Sequence, residues 1–137
     1  MTNTYQLIIE YDGSNYVGWQ KQKNGKSIQG VIENILKKIF KKKILLYGSG
    51  RTDSGVHAYA QSAHFSTKID IKNKSKIINT FNYFLRNHSI SIIKIKKRAN
   101  NFHARHSAKR RVYKYLILNR IGNPIIQKKK VSYMRIT

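Results

Sequence analysis

The residues from Gly48 to Ala58 place a charged pair on a backbone that contains three glycines. They read Gly-Ser-Gly-Arg-Thr-Asp-Ser-Gly-Val-His-Ala, so Arg51 and Asp53 stand two positions apart. Carboxylates are scarce, because the chain has only five acidic residues among 137. An ionised Asp53 could act as a nucleophile or a general base, and the neighbouring guanidinium is expected to keep it ionised. The alternative is an aspartate that caps a turn and forms a local salt bridge.

A second group of candidate residues lies between Phe102 and Tyr115, where basic residues alternate with aromatic ones. Cations contact phosphates and aromatic rings stack on unpaired bases, so this composition favours RNA binding. Tyr113 has two interpretations, a base-stacking residue or a core residue, whereas Tyr115 is predicted to lie in the core. His103 and His106 are three positions apart, but without cysteine or a nearby acid we expect a structural or RNA-contacting role and no metal site.

The charge of the whole chain also indicates a polyanionic partner. There are 28 basic residues against 5 acidic ones, a net charge of +23. Nucleic acid is the first interpretation and an anionic membrane surface the second. An AT-rich coding bias would raise lysine, isoleucine and asparagine together. It would not explain the arginines at positions 105, 110 and 111.

Length and cysteine content limit the class of protein. A chain of 137 residues suits a single domain with its own core. Cysteine is absent, which excludes thiolate catalysis, cysteine-based zinc sites and a disulfide framework, and it agrees with a reducing, cytoplasmic setting. No segment approaches the roughly 20 apolar residues that span a bilayer. The glycine block around Arg51 and Asp53 argues against a membrane-surface role as well, so we expect no membrane partner.

Hydrophobic periodicity predicts the elements that must position these residues. Tyr5 to Tyr11 alternates as a half-buried strand does, and Asp12 to Asn15 forms a turn. Ser27 is predicted to cap a helix whose apolar residues recur at three and four positions as far as Phe40. The short apolar run Ile44 to Tyr47 then leads into the glycine block.

Further elements follow the glycine block, without an internal repeat. Gln61 to Thr67 alternates as a strand, Ser75 is predicted to cap a second helix, and Ile90 to Ile95 is rich in β-branched residues. Arg111 to Asn119 is predicted to be a further strand, with Tyr113 on the same face as Tyr115.

The order of these elements is β-α-β-β-α-β. It predicts an α+β fold of the ferredoxin-like type, an antiparallel sheet with two helices on one face, plus an additional strand. We expect residues 1–98 to form this domain and to carry Asp53 on the loop between its second and third strands. Residues 99–137 are expected to be a basic, aromatic strand and the start of a second half.

These motifs together resemble the tRNA pseudouridine synthase A family, and the matches extend over nearly the whole chain. The central glycine block is the most specific of them. The matching residues are Tyr11-Asp12-Gly13-Ser14, Gly18-Trp19-Gln20, Gln22, Ser27-Ile28-Gln29, Gly50 to Ala58, Gln61, His64-Phe65, Phe102 to Arg105, Ser107-Ala108, Arg111, Tyr113 and Tyr115.

The resemblance implies an enzyme that isomerises uridine to pseudouridine in the anticodon stem-loop of tRNA, without a metal or an organic cofactor. Asp53 matches the catalytic aspartate of the family, Arg51 the arginine paired with it, and Tyr113 the tyrosine that stacks on the target base. The predicted RNA contacts are made by Lys23, His103, Arg105, Arg110 and Arg111, although Arg110 is not part of the family motif.

Family members are about twice as long as this chain and are expected to be homodimers. A second ferredoxin-like half completes their sheet and their cleft. We therefore expect this chain to be the half that carries the aspartate and to be weakly active alone. Ser54 stands where the family usually has alanine, a conservative change. The competing hypothesis is a non-catalytic basic RNA-binding module in which Asp53 has only a structural role.

Overall fold

The computed structural model describes residues 1–119, 122, 125 and 132–134. The strands and helices follow one another in the predicted order. They are β1 (Asn3–Tyr11), α1 (Ile28–Phe40), β2 (Tyr47–Gly48), β3 (Ala58–Thr67), α2 (Lys74–Leu85), β4 (Ile90–Arg98), β5 (Ile117–Asn119) and β6 (Ser132–Met134). The predicted turn after β1 is a short 3₁₀ turn over Gly13–Asn15.

The main sheet has the strand order β2-β3-β1-β4, and each neighbouring pair is antiparallel. In the central pair, Tyr5 lies opposite Phe65 and Leu7 opposite Ala63. This arrangement confirms the predicted α+β, ferredoxin-like fold. The short strands β5 and β6 pair in parallel and form a separate two-stranded sheet.

One face of the main sheet forms the core with both helices. Leu7 of β1, Leu36 of α1 and Phe81 of α2 are fully buried in a single hydrophobic cluster. The residues that alternate with these in the strands, such as Gln6 and Lys96, lie on the opposite face, where they pair across β1 and β4. The alternation in β1 and β3 therefore leaves one face of the sheet without helices.

The two helices begin at capping residues, one of which differs from the prediction. Ser27 caps α1 as expected, because its hydroxyl accepts the Gly30 N–H at 3.0 Å. The cap of α2 is Asn73, whose side chain accepts the Lys76 N–H at 3.0 Å. The prediction of Ser75 as the cap is wrong. Asparagine is at least as good a capping residue as serine, and with Asn73 as the cap the helix begins at Lys74, one residue before Ser75.

The apolar run Ile44 to Tyr47 contributes less to the sheet than expected. Only Tyr47 and Gly48 pair with β3. The preceding residue, Leu46, has its backbone bonded to α1 instead. Its N–H donates to the Glu33 carboxylate at 2.8 Å and its carbonyl accepts from the Gln29 side chain at 2.8 Å. Helix side chains thus replace a strand partner for this backbone.

The predicted strand from Arg111 to Asn119 is also shorter than expected. The strand β5 begins only at Ile117, where pairing with β6 begins. Tyr113 is 63% exposed and Tyr115 is 82% exposed, so the prediction that Tyr115 lies in the core is wrong. An extended segment needs a partner strand to become a stable part of a sheet, and pairing covers only the last three positions. The run from Ile121 onward lies mostly outside the described residues.

Neither described helix has the length and apolar character required to cross a bilayer.

Candidate active site

The loop that joins β2 to β3, which we call the Asp53 loop, is held by the segment that follows β1. The backbone N–H of Trp19 donates to the Thr52 carbonyl at 3.1 Å. The Ser54 hydroxyl donates to the Tyr16 carbonyl at 3.1 Å. Asp53 therefore lies between two residues that are each hydrogen-bonded to another part of the fold, which limits how far its backbone can move.

Asp53 itself has an exposed side chain. The ion pairs formed within the described part of the chain involve other acids, so the local salt bridge of the alternative, turn-capping interpretation is not formed. An ion pair between two exposed side chains gains little free energy in water, which explains why both remain solvated. The carboxylate is consequently available to an incoming ligand.

A cleft of about 620 Å³ opens beside this loop. Three guanidinium groups line it, those of Arg51, Arg105 and Arg111, together with the aromatic rings of Tyr47 and Tyr113. Among the described residues that line it there is no carboxylate. Cations and aromatic rings without acids are the side chains that bind phosphates and unpaired bases.

Arg111 joins the two walls of this cleft. Its Nε and Nη2 donate to the Ser49 carbonyl at 3.0 and 2.7 Å, and Nη2 also donates to the Arg105 carbonyl at 3.0 Å. These contacts occupy three of the five N–H donors of a guanidinium and leave those on Nη1. Arg111 therefore has a structural role in the cleft that the sequence did not indicate.

A turn over residues 102–107 forms the other wall and rests on His64. The Ala104 N–H donates to His64 Nδ1 at 2.9 Å. The His64 ring stacks on Tyr47 with centroids 5.1 Å apart and meets His103 edge-on at 4.6 Å. The alternation of β3 places His64 on the face opposite that of Ala63 and Phe65. His64 is nevertheless buried, because this turn covers it.

Burial, together with a smaller contribution from the nearby His103, lowers the pKa of His64 from its usual 6.5 to about 4. The neutral ring is the form that accepts the Ala104 N–H. We expect this neutral ring to stabilise the fold fully above pH 6.5 and the stabilisation to be lost as the pH falls from 6.5 to about 4. The loss should be on the order of 2 kcal/mol in the free energy of unfolding.

Urea unfolding at several pH values measures this effect when the wild type is compared with His64→Asn. Asparagine can supply an acceptor near the position of Nδ1 and does not titrate. The difference between the two curves should change across this pH window. A constant difference would show that folding does not lower the pKa of His64.

The structure brings some of the predicted site residues together and leaves others apart. Arg51, His103, Arg105, Arg111 and Tyr113 all line the cleft. Three do not line it: Asp53, Lys23 and Arg110 are exposed residues outside its wall. The cleft is also lined by Gln20, Gln29 and Ser49, to which sequence reasoning assigned no role. Gln20 and Gln29 were part of the family motif, and Ser49 was one residue of the glycine block. Among the described residues, no group of three or more histidines and acids could hold a metal ion.

Comparison with known proteins identifies the kind of chain in which this site occurs. A family model described as tRNA pseudouridine synthase matches residues 7–107. The tRNA pseudouridine synthase A of Pelagibacter ubique (strain HTCC1062) is 53% identical over 126 residues, which cover 92% of this chain and 51% of the relative. That of Caldicellulosiruptor saccharolyticus is 50% identical over 120 residues, covering 88% and 48%. That of Ehrlichia ruminantium (strain Gardel) is 48% identical over 117 residues, covering 85% and 47%.

This chain thus spans about half the length of the curated relatives that it matches. The matched region of the family model includes β1 from Leu7 onward, the other three strands of the main sheet, the Asp53 loop and the turn that carries Arg105. With that extent of agreement, the chain belongs to the tRNA pseudouridine synthase family.

Proposed function

We propose that this chain carries the catalytic aspartate of a tRNA pseudouridine synthase and isomerises uridine to pseudouridine in the anticodon stem-loop of tRNA. The observation that carries this proposal is the placement of Asp53. It has an exposed carboxylate on a braced loop, beside a cleft lined by three arginines. The relatives named as tRNA pseudouridine synthase A support the choice of reaction.

The reaction requires little beyond these groups. Isomerisation breaks the bond between the ribose C1′ and the uracil N1 and forms a bond from C1′ to C5, while the proton on C5 is exchanged for one on N1. No atom is gained or lost, so a carboxylate can assist the cleavage and the rejoining without an organic cofactor or a metal. Asp53 would attack or stabilise the ribosyl carbon as the base departs.

The cleft supplies the binding that this step needs. An enzyme that acts on a base must first take it out of the stack. Tyr113, 63% exposed in the cleft wall, would stack on the displaced base, and Arg51 would hold the nucleotide near Asp53. The same proposal includes three further expectations: the dimer implied by the family resemblance, a cytoplasmic location and the division of the chain at residue 98.

Formation of pseudouridine in an unmodified tRNA transcript is the direct test. The chain should convert uridine in the anticodon stem-loop, slowly if the other half of the relatives contributes to the cleft. Joining the chain to the C-terminal half of the Pelagibacter ubique relative should then raise the rate. Absence of product in both proteins, with tRNA binding retained, would favour the non-catalytic RNA-binding module.

Arg105 should contact a phosphate of the bound RNA. Arg105 and Arg111 both line the cleft and are exposed, but the guanidinium of Arg111 is already bonded to backbone carbonyls. We expect Arg105→Gln to weaken tRNA binding and to reduce the slope of log affinity against log salt by about 1.

Titration of labelled tRNA at several salt concentrations measures this slope. Arg86→Gln is the matched control, because Arg86 is an exposed arginine that follows α2, away from the cleft-lining residues. An equal loss of slope in both variants would indicate diffuse attraction to the positive surface and would remove the assignment of Arg105.

A further inference from the structure

A pair of buried polar side chains lies beneath the start of the Asp53 loop. Tyr11 is 3% exposed and Gln61 is 9% exposed, and they belong to the adjacent strands β1 and β3. Burial raises the pKa of the Tyr11 hydroxyl, and the side chains of Thr52 and Gln61 oppose that rise, so Gln61 lies close enough to interact with it. Both lie in the core-facing layer, where the neighbouring inward positions of β3 hold Ala63 and Phe65.

Each member of this pair fixes a different part of the loop. The Gln61 amide nitrogen donates to the Gly50 carbonyl at 2.6 Å, and its oxygen accepts from the Ser49 hydroxyl at 3.1 Å. The Tyr11 hydroxyl is hydrogen-bonded to the Thr52 hydroxyl at 2.8 Å. The buried Tyr11 therefore holds the loop at Thr52, the residue directly before Asp53.

Thr52 is held from two directions at once. Its side chain is bonded to Tyr11, and its carbonyl accepts the Trp19 N–H at 3.1 Å. With both groups fixed, rotation about the Thr52 backbone is restricted. The peptide that follows is then limited in direction, and so is the Asp53 side chain on it.

The chemistry of these positions argues against a purely stabilising role. Burial of a hydroxyl and an amide gains little net free energy even when both are hydrogen-bonded, and apolar side chains of similar shape stabilise a core as well. A connected polar network instead selects one arrangement of the groups attached to it. Here the attached groups are residues 49, 50 and 52 of the loop.

We infer that Tyr11 and Gln61 are positioning residues that set the direction of the Asp53 carboxylate. They do not contact the RNA, and they act through Gly50 and Thr52. The inference rests on the proposed function only in treating Asp53 as the reacting group. Its structural content, a loop fixed by two buried side chains, can be measured without turnover.

Tyr11→Phe tests the inference, because it removes only the hydroxyl. Amide hydrogen exchange at Trp19, whose N–H is bonded to Thr52, should become about tenfold faster, while exchange in the centre of β1 stays unchanged. Where the chain turns over, kcat should fall by about 10- to 100-fold with an unchanged KM for tRNA. Gln61→Met should give the same pattern with a smaller change at Trp19, since it removes the contacts to Ser49 and Gly50.

Tyr5→Phe is the matched control. Tyr5 is a buried tyrosine on the same strand, and its hydroxyl accepts the Ile71 N–H at 2.8 Å, away from the Asp53 loop. It should change neither the exchange at Trp19 nor kcat.

Three results would overturn the inference. They are unchanged exchange at Trp19 in Tyr11→Phe, an equal rise throughout β1, and an unchanged kcat. If the wild type forms no pseudouridine, the proposed function fails while the exchange data still decide whether these residues fix the loop.

Discussion

Replacement of Asp53 by asparagine should abolish pseudouridine formation while tRNA binding remains. The change keeps the size and shape of the side chain and removes only its charge and its nucleophilic oxygen. If the carboxylate reacts with the ribosyl carbon, the rate should fall by at least about 10³-fold, as it does when a nucleophile is removed from other enzymes. The arginines that line the cleft are unaffected, so the dissociation constant for tRNA should stay within about twofold, well under the tenfold that 1.4 kcal/mol would produce.

Two measurements on each protein separate the roles of Asp53, namely pseudouridine formed under single-turnover conditions and tRNA bound at fixed salt. Glu10→Gln is the matched control, because it also removes one negative charge from an exposed acid, but in β1 and not on the Asp53 loop. It should retain both activity and binding. Normal turnover by Asp53→Asn would exclude the carboxylate from the reaction. A parallel loss of turnover and binding would instead assign Asp53 to RNA contact or loop structure.

The local pattern of the chain was sufficient to predict most of the main sheet and both helices. The helix α1 could be predicted because its apolar residues recur within a few positions and Ser27 supplies the cap. That the residues before β2 bond to α1 and do not pair in the sheet could not be predicted. It depends on Glu33 and Gln29, which bond to Leu46 from 13 and 17 positions away. A periodic pattern records the burial of neighbours in sequence, and it contains no information about such pairs.

The candidate site shows the same division between local and distant information. The residue types of Arg51, Asp53 and Tyr113 indicated chemistry from the sequence, and the family resemblance gave them roles. The sequence did not reveal that Arg111 bonds the carbonyls of Ser49 and Arg105, because a guanidinium and two backbone oxygens have no sequence signature. The salt bridge of the alternative interpretation does not form for the related reason that closeness in sequence does not make an exposed ion pair stable.

Replacement of Gly18 by alanine should destabilise the fold strongly and displace the residue before Asp53. Gly18 has a φ of +112°, which L-residues with a side chain rarely adopt, and a Cβ there would lie 2.4 Å from the Thr52 carbonyl oxygen. Neither partner is a flexible side chain, so the backbone of one segment must move. We expect the free energy of unfolding to fall by about 3 kcal/mol or more, as the strain and the steric conflict add. Because Thr52 moves, any pseudouridine-forming activity should fall as well.

Gly55→Ala separates the two causes, because Gly55 also has a positive φ, +80°, but a Cβ there would meet nothing within 4 Å. Gly55→Ala should lower the free energy of unfolding by the backbone strain alone, about 1–2 kcal/mol. Urea unfolding followed by far-UV circular dichroism measures both variants without relying on Trp19, which adjoins Gly18. A loss in Gly18→Ala no greater than in Gly55→Ala would mean that Thr52 can yield to a methyl group. The Asp53 loop would then be more adaptable than its hydrogen bonds indicate. That result would also weaken the inference that the Asp53 carboxylate is held in one direction.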